Sequence, residues 1–377
     1  MSRRFSLSRF WAIVLKEFIQ MKRDRATFAM MVGIPLVQLL LFGYAINSDP
    51  KFLPTLIVDA DGGPFARTLV QAMTHSEYFD VLDVTTEDGA ARALKLGETQ
   101  FVLNIPVDFT RRILRGERPA VLLEADATDP AATAPALAAI NVIVQSAFAR
   151  DLPGPLRPLN GSAGPVDFQV HRHYNPEGIT QYNVVPGLMG VVLTMTMVVI
   201  TALAITRERE RGTMENLLAT PVRPSEVMIG KILPYIIVGY VQVTLILLAS
   251  RFLFHVPIIG NLALLYLVAL LFIAANLAMG ITFSTVAKNQ LQAVQMAFFF
   301  FLPSLLLSGF MFPFRGMPEW AQVLGSALPL THFLRVVRGV MLKGNGIAEI
   351  APEVWPIALF MLVAMFVAVK RYRQTLD

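Results

Sequence analysis

The 377-residue chain has no cysteine, so disulfides and thiolate metal sites are excluded, and any soluble part must be held by its own apolar core. Charge is also scarce. Only 16% of residues are Asp, Glu, Lys or Arg, against 55% hydrophobic, a balance that points to an integral membrane protein and away from a soluble enzyme. A third absence concerns nucleotides. No G-x-x-x-x-G-K-[ST] phosphate loop occurs: Gly230-Lys231 is followed by Ile232, and Ser225 stands where the first glycine would be. Finally, the apolar stretches hold no Asp, Glu, Lys or Arg; their most polar occupants are Gln38, Gln242, Asn276 and Gln295. A carrier driven by protons or ions generally needs ionisable groups at membrane depth, so the chain lacks that engine as well as the ATP site.

What is present is six apolar stretches near the roughly 20 residues that cross a bilayer as helix. They are Thr27–Ile46, Tyr182–Thr206, Ile232–Ser250, Leu262–Val286, Leu291–Phe312 and Trp355–Val369, the last short enough that its start is expected nearer Ile350. The first run begins too late, and is too long, for a cleaved signal peptide, so it is expected to remain as an anchor. Lys and Arg crowd the segments 1–26, 207–231 and 370–373, which makes both termini and the 207–231 loop cytoplasmic. The net charge of +5 thus serves topology, and nucleic acid is not an expected partner.

The expected architecture is an α-helical membrane protein of six transmembrane helices, with a periplasmic α/β domain, residues 47–181, inserted between helices 1 and 2. In that domain Leu56–Asp59, Phe79–Val84, Gln100–Ile105 and Ala120–Glu124 read as strands, and Phe65–Met73, Glu87–Leu96, Asp108–Arg115 and Ala131–Arg150 as helices. A Pro/Gly-rich linker follows, and Val166–Tyr174 reads as a strand returning the chain to the membrane. Before the first span, Phe10, Trp11, Val14, Leu15 and Phe18 fall on one helical face, with Lys16, Gln20 and Arg23 on another. That suits a helix lying on the membrane surface, the alternative being a plain extension of the span. After span five, residues 313–342 are broken by Pro313, Pro318 and Pro329 yet remain apolar. They are expected to dip into the outer leaflet and return.

The loop Arg207-Glu208-Arg209-Glu210-Arg211-Gly212-Thr213-Met214-Glu215 is dense in mixed charge, while Met214, Leu217 and Leu218 recur at helical spacing and Pro221 stops the run. A short amphipathic helix of this kind can dock into a partner's groove; it can equally be a solvated loop that only fixes topology. Within Glu210–Pro221, Glu-Arg-Gly-Thr-Met-Glu-Asn-Leu-Leu-Ala-Thr-Pro, followed by Gly230-Lys-Ile-Leu-Pro234, closely resembles the loop of ABC-2 type permeases. Lys16-Glu17 with Arg23-Asp24, Pro35, Phe42-Gly-Tyr44, Ile105-Pro-Val-Asp-Phe109, Ser308-Gly-Phe-Met-Phe-Pro313, Met317-Pro318, Pro329, Arg338 and Gly344 match in the same order, so the resemblance spans nearly the whole chain. It is closest to the YbhS/YhhJ-like multidrug-efflux branch.

The resemblance implies a non-enzymatic permease subunit of an ATP-binding cassette exporter in a bacterial inner membrane. It would pair with a second permease, as homodimer or heterodimer, and ATP and Mg would sit on separate ATPase subunits. Residues 207–221 would be the coupling helix, residues 7–24, with Phe10, Trp11, Lys16, Glu17, Arg23 and Asp24, the connecting helix, and 313–342 the re-entrant hairpin at the exit. The inserted domain would suit a periplasmic adaptor leading to an outer-membrane channel. Spans one, two and five, rich in Met and Phe, would line the path for hydrophobic or amphipathic compounds. Two other classes stay open: an ion-coupled secondary transporter, and a sensor or scaffold that uses the outer domain.

Three smaller constellations carry weaker readings. His171 and His173 alternate on one strand face without an evident third metal ligand, which favours an ordinary polar role. His332, Arg335 and Arg338 share a helical face, as snorkelling anchors or as contacts to anionic substrate or headgroups. Glu124, Asp126 and Asp129 do not form a hydrolase motif, and Asp129-Pro130 resembles a helix start.

Overall fold

The computed structural model describes residues 50–149, 152, 165–210 and 224–373. The expected connecting helix and first span lie outside the described residues, and so do residues 211–223. The described chain begins with an α/β unit: β1 (Leu53–Asp59), α1 (Pro64–His75), β2 (Phe79–Val84), α2 (Glu87–Leu96), β3 (Phe101–Ile105), α3 (Phe109–Leu114), β4 (Ala120–Asp126), α4 (Pro130–Ala149) and β5 (Asp167–His173). Each strand expected from the sequence is there, to within three residues at either end.

The sheet order is β2-β1-β3-β4-β5. β1 runs parallel to both neighbours, β3 and β4 are antiparallel, and β4 and β5 are parallel. Helical crossovers α1, α2 and α4 account for the parallel pairs, since parallel strands cannot be joined by a tight turn. One sheet face packs Leu53, Ile57, Phe101, Leu103, Val121 and Leu123 against α1, α3 and α4, with Phe65 and Phe109 around Phe148 at 6.0 and 6.5 Å between ring centroids. On the other face α2 packs through Ala90 and Leu94 on Val102. Among the described residues no helix of the unit covers its β4–β5 side.

Helices α5 (Thr180–Glu210), α6 (Pro224–Phe252), α7 (Leu262–Val286), α8 (Gln290–Leu307) and, after four short elements, α11 (Ile347–Arg373) follow. Among the described residues six helices are long and apolar enough to cross a membrane: these five and the stretch Pro130–Phe148 of α4. The last is set apart by its packing, because Ala136, Ile140, Ile143, Val144 and Phe148 belong to the core under the sheet. The five therefore correspond to the second to sixth spans expected from sequence.

α7 is the central helix, with buried positions along its length from Leu265 to Ser284. Gly280 lets it approach α5, where an added Cβ would lie 2.8 Å from the Val198 carbonyl oxygen; small residues allow such close helix contact in a bilayer. By contrast α6 exposes Ile237, Val241, Leu245 and Leu248, and α11 exposes Leu359, Leu362, Val363 and Phe366. Apolar stripes on the outside of an apolar bundle suit lipid. Several hydroxyls inside the spans donate to the preceding turn, as Thr194 Oγ1 does to Gly190 O, and Thr196 also reaches Gln242 Oε1 at 2.9 Å, whereas Thr201 Oγ1 is buried without a partner.

Two spans differ from the sequence reading. α8 ends at Leu307, short of Phe312, because Gly309 adopts φ +83° and turns the chain. α11 starts at Ile347, three residues before the start expected near Ile350, and continues through Pro352 and Pro356. Its first turns bring Glu349 and Glu353 into the helix, where both find cationic partners.

Segment 313–342 folds as a 3₁₀ turn (Phe314–Gly316), α9 (Glu319–Ser326), α10 (Pro329–Arg338) and most of a π-helical turn (Gly339–Lys343) closed by Gly344 at φ +69°. α10 is sunk among α5, α7 and α11, with Leu330, Phe333, Leu334 and Val337 buried and Phe333 stacked on Phe272 at 4.0 Å. The irregular backbone beside it is satisfied: Gly260 N–H donates to Val340 O and Ile259 N–H to Met341 O, both at 3.0 Å.

Candidate functional site

Two ends of the bundle carry the residues singled out from the sequence. At one, α5 runs on past the bundle core to Arg207 and Glu210, both exposed. Glu210 grips the start of α8: Oε1 accepts from the Gln290 backbone N–H at 2.7 Å and Oε2 from Gln290 Nε2 at 2.5 Å. These two bonds hold the Glu210 carboxyl below its ordinary range, since they favour the charged form. A carboxylate at a helix N-terminus also meets the orphan N–H groups and the positive end of the dipole. Asn289 caps the same helix by accepting from Gln292 N–H, and Gln292 Oε1 accepts from Lys288 N–H. The 207–221 loop thus leaves the bundle beside the α7–α8 turn, 80 residues away in sequence. Glu208 and Arg209 occupy the last turn of α5; Arg211, Gly212, Thr213, Met214, Glu215, Leu217, Leu218 and Pro221 lie outside the described residues, as do Phe10, Trp11, Lys16, Glu17, Arg23 and Asp24.

At the opposite end, Pro313 precedes the 3₁₀ turn, Pro318 stands at the N-cap of α9, and Pro329 begins α10, where its missing N–H is not needed. Two of the three basic residues on α10 share Glu353, and the third reaches a backbone carbonyl. His332 Nδ1 meets Glu353 at 2.5 Å and its Nε2 meets Ser326 O at 2.8 Å. Arg335 donates to Glu353 at 3.1 Å and lies over the Phe314 ring, 4.7 Å from its centroid. Arg338 reaches Gly309 O with both terminal nitrogens at 3.3 Å. Glu353 is the group that sequence reading did not single out, because its partners lie on another helix.

The same end of the bundle is latched to the α/β unit. Lys343 Nζ meets Asp126 Oδ2 at 2.5 Å, with both side chains under a tenth exposed, and also donates to Leu94 O. The ammonium lies 5.1 Å from the centre of the Tyr174 ring. Burial, with the Asp126 and Glu124 charges, pushes the Tyr174 hydroxyl up to about 12. Lys95 pairs with Glu349 at 2.9 Å, and Asn183, in the first turn of α5, donates to Asp129 Oδ1 at 3.0 Å. Desolvation raises the Asp129 carboxyl above its usual range, and the Arg338 charge opposes that rise. None of these pairs is legible from sequence spacing, since the partners are 54 to 254 residues apart.

On the uncovered sheet face, His171 and His173 acquire the third group that the sequence did not show. Glu124 on β4 stands opposite His171 in the parallel register, and the potential ligand atoms of the three residues lie within 4.8 Å of one another.

A bundle of long apolar helices, with a charged loop beginning at one end and an α/β unit latched to the other, defines a polytopic membrane protein. The family model described as ABC-2 family transporter protein matches residues 25–370, and the chain belongs to that family. It is 31% identical over 364 residues to the Escherichia coli K12 protein named probable multidrug ABC transporter permease YbhS, covering 95% of this chain and 94% of that one. It is 26% identical over 367 residues to the same organism's probable multidrug ABC transporter permease YbhR, covering 97% and 98%. The ABC transporter G family member 20 of Dictyostelium discoideum matches at 26% over 373 residues, across 94% of this chain and half of its own length.

Proposed function

We propose that this chain is the permease subunit of an ABC exporter of a bacterial inner membrane, moving hydrophobic or amphipathic compounds outward. The observation that carries this reading is the end-to-end likeness to YbhS, taken together with a helix that delivers the Glu210–Pro221 motif to one end of the bundle. The chain performs no covalent chemistry. ATP and Mg would be held by separate ATPase subunits, and a second permease, identical or related, would complete the pathway.

In this reading both termini and the 207–221 loop are cytoplasmic and the α/β unit is periplasmic, within reach of an adaptor and an outer-membrane channel. ATP draws the two partner ATPases together, and their movement is passed to the 207–221 loop. The Glu210 clamp on Gln290 supports the transfer, because it joins the loop's root to α8, so that α5 and α8 are displaced together. The equilibrium between inward and outward access then shifts by as much as the partners bind the two states differently.

The test is reconstitution with the cognate ATPase. Glu215→Lys or Gly212→Pro should leave the permease inserted yet lower ATPase association and substrate-stimulated hydrolysis, by roughly tenfold if docking loses ~1.4 kcal/mol. Parental transport and association in both variants would reduce the loop to a topological anchor.

A further inference from the structure

We propose that Glu124, His171 and His173 form a binding site for a first-row divalent cation of the zinc type on the uncovered face of the α/β unit. His171 and His173 are two residues apart on β5, so the alternation of a strand places both rings on the same face. Their ring centroids are 4.3 Å apart. β5 is an edge strand of the sheet, and among the described residues no helix of the unit lies over the face it shares with β4. Register does the rest: Glu124 pairs directly with His171, and its Oε2 lies 2.6 Å from His173 Nε2.

Two imidazoles and one carboxylate within 4.8 Å of one another form the donor set that zinc and its neighbours prefer, and it is unsuited to calcium or magnesium, which favour oxygen. Drawing these atoms onto a cation at ~2.0–2.2 Å requires only side-chain rotation, since His171 is exposed and the other two are partly so. The metal would take the place of the direct contact between His173 Nε2 and Glu124 Oε2. A supporting contact is already in place: Asn104 Nδ2 donates to Glu124 Oε1 at 2.6 Å, leaving Oε2 for the cation. With three protein ligands and an open side towards solvent, the site keeps at least one position for water or an exogenous ligand.

Position gives the site a consequence. His173 is followed by Tyr174, whose ring lies 5.7 Å from that of His173 and beneath Lys343. A cation there would pin the edge strand just before the chain enters α5.

The full-length, tag-free permease in detergent is titrated with CoCl2 and then displaced with ZnCl2. With no thiolate in the chain, an imidazole–carboxylate site should show visible cobalt bands saturating at one equivalent, with zinc displacing them and raising the unfolding midpoint. His171→Ala and His173→Ala should abolish the saturable bands. Asn104→Ala should weaken binding about 10–100-fold, the effect of losing a partner that orients a ligand. His75→Ala, on α1, should bind as the parent does. Absence of saturable binding in the parent, or parental binding in both histidine variants, overturns the site and leaves a plain His173–Glu124 hydrogen bond.

Discussion

Asp126 and Lys343 are 217 residues apart in the chain and form a buried ion pair that joins the last residue of β4 to the turn after α10. Asp126 is further engaged by the Thr128 N–H and hydroxyl, both on Oδ1, so the second oxygen is free to face the ammonium. Buried pairs are costly to break from one side only, because the remaining charge stays desolvated; the loss runs to about 3–5 kcal/mol. Lys343→Met should therefore lower the unfolding midpoint sharply in detergent. Lys343→Met with Asp126→Asn should recover much of that loss. A double variant no more stable than the single one would assign the loss to packing and not to the stranded charge.

Gly280 should not tolerate a larger side chain. Gly280→Val drives methyl groups into α5 at the Val198 carbonyl and the Thr201 side chain, an overpacking expected to cost about 1–3 kcal/mol. Thermal unfolding measures it, and a midpoint equal to the parent's would show that α5 and α7 separate without cost.

The clamp of Glu210 on Gln290 should be pH-dependent in a defined sense. Because the folded carboxyl is held below its ordinary value of 4.5, the clamp contributes fully above that value and is lost as pH falls through the lower, folded one. Spin labels on cysteines placed at 207 and 288 should report a fixed distance at neutral pH that broadens only on the acid side of 4.5. In Glu210→Gln the distribution should not change across the same range; an identical acid transition in that variant would assign the change to another group.

Single cysteines in this thiol-free chain also test orientation. In intact spheroplasts an impermeant maleimide should label Asn160→Cys and spare Gly212→Cys. The reverse pattern would invert the topology and remove the coupling assignment with it.

The described spans and the strand–helix alternation were legible because they depend on local signals, such as apolar length for α7 and a short apolar run for β3. Boundaries moved where a distant partner changed the local balance. Glu353, in the first turns of α11, pairs with His332 and Arg335 from α10, and that helix begins at Ile347, three residues before the start expected near Ile350. The same holds for His171 and His173, whose third neighbour comes from strand register, which no single-strand pattern encodes. Arg338 reads as a surface cation but is drawn inward to the Gly309 carbonyl, since α10 is covered by three longer helices.

α5 links the two ends of the molecule. Asn175 closes the corner before it, accepting from Ile179 N–H and donating to Ile179 O, and Asn183 ties its first turn to Asp129. At its far end Glu210 holds Gln290. Its 31 helical residues span about 46 Å at the usual rise of ~1.5 Å each. Pivoting about its middle, such a lever needs a tilt of only about 5° to carry each tip roughly 2 Å in opposite senses. A small push where the charged loop begins would then arrive, reversed in direction, at the seam where the sheet meets the bundle.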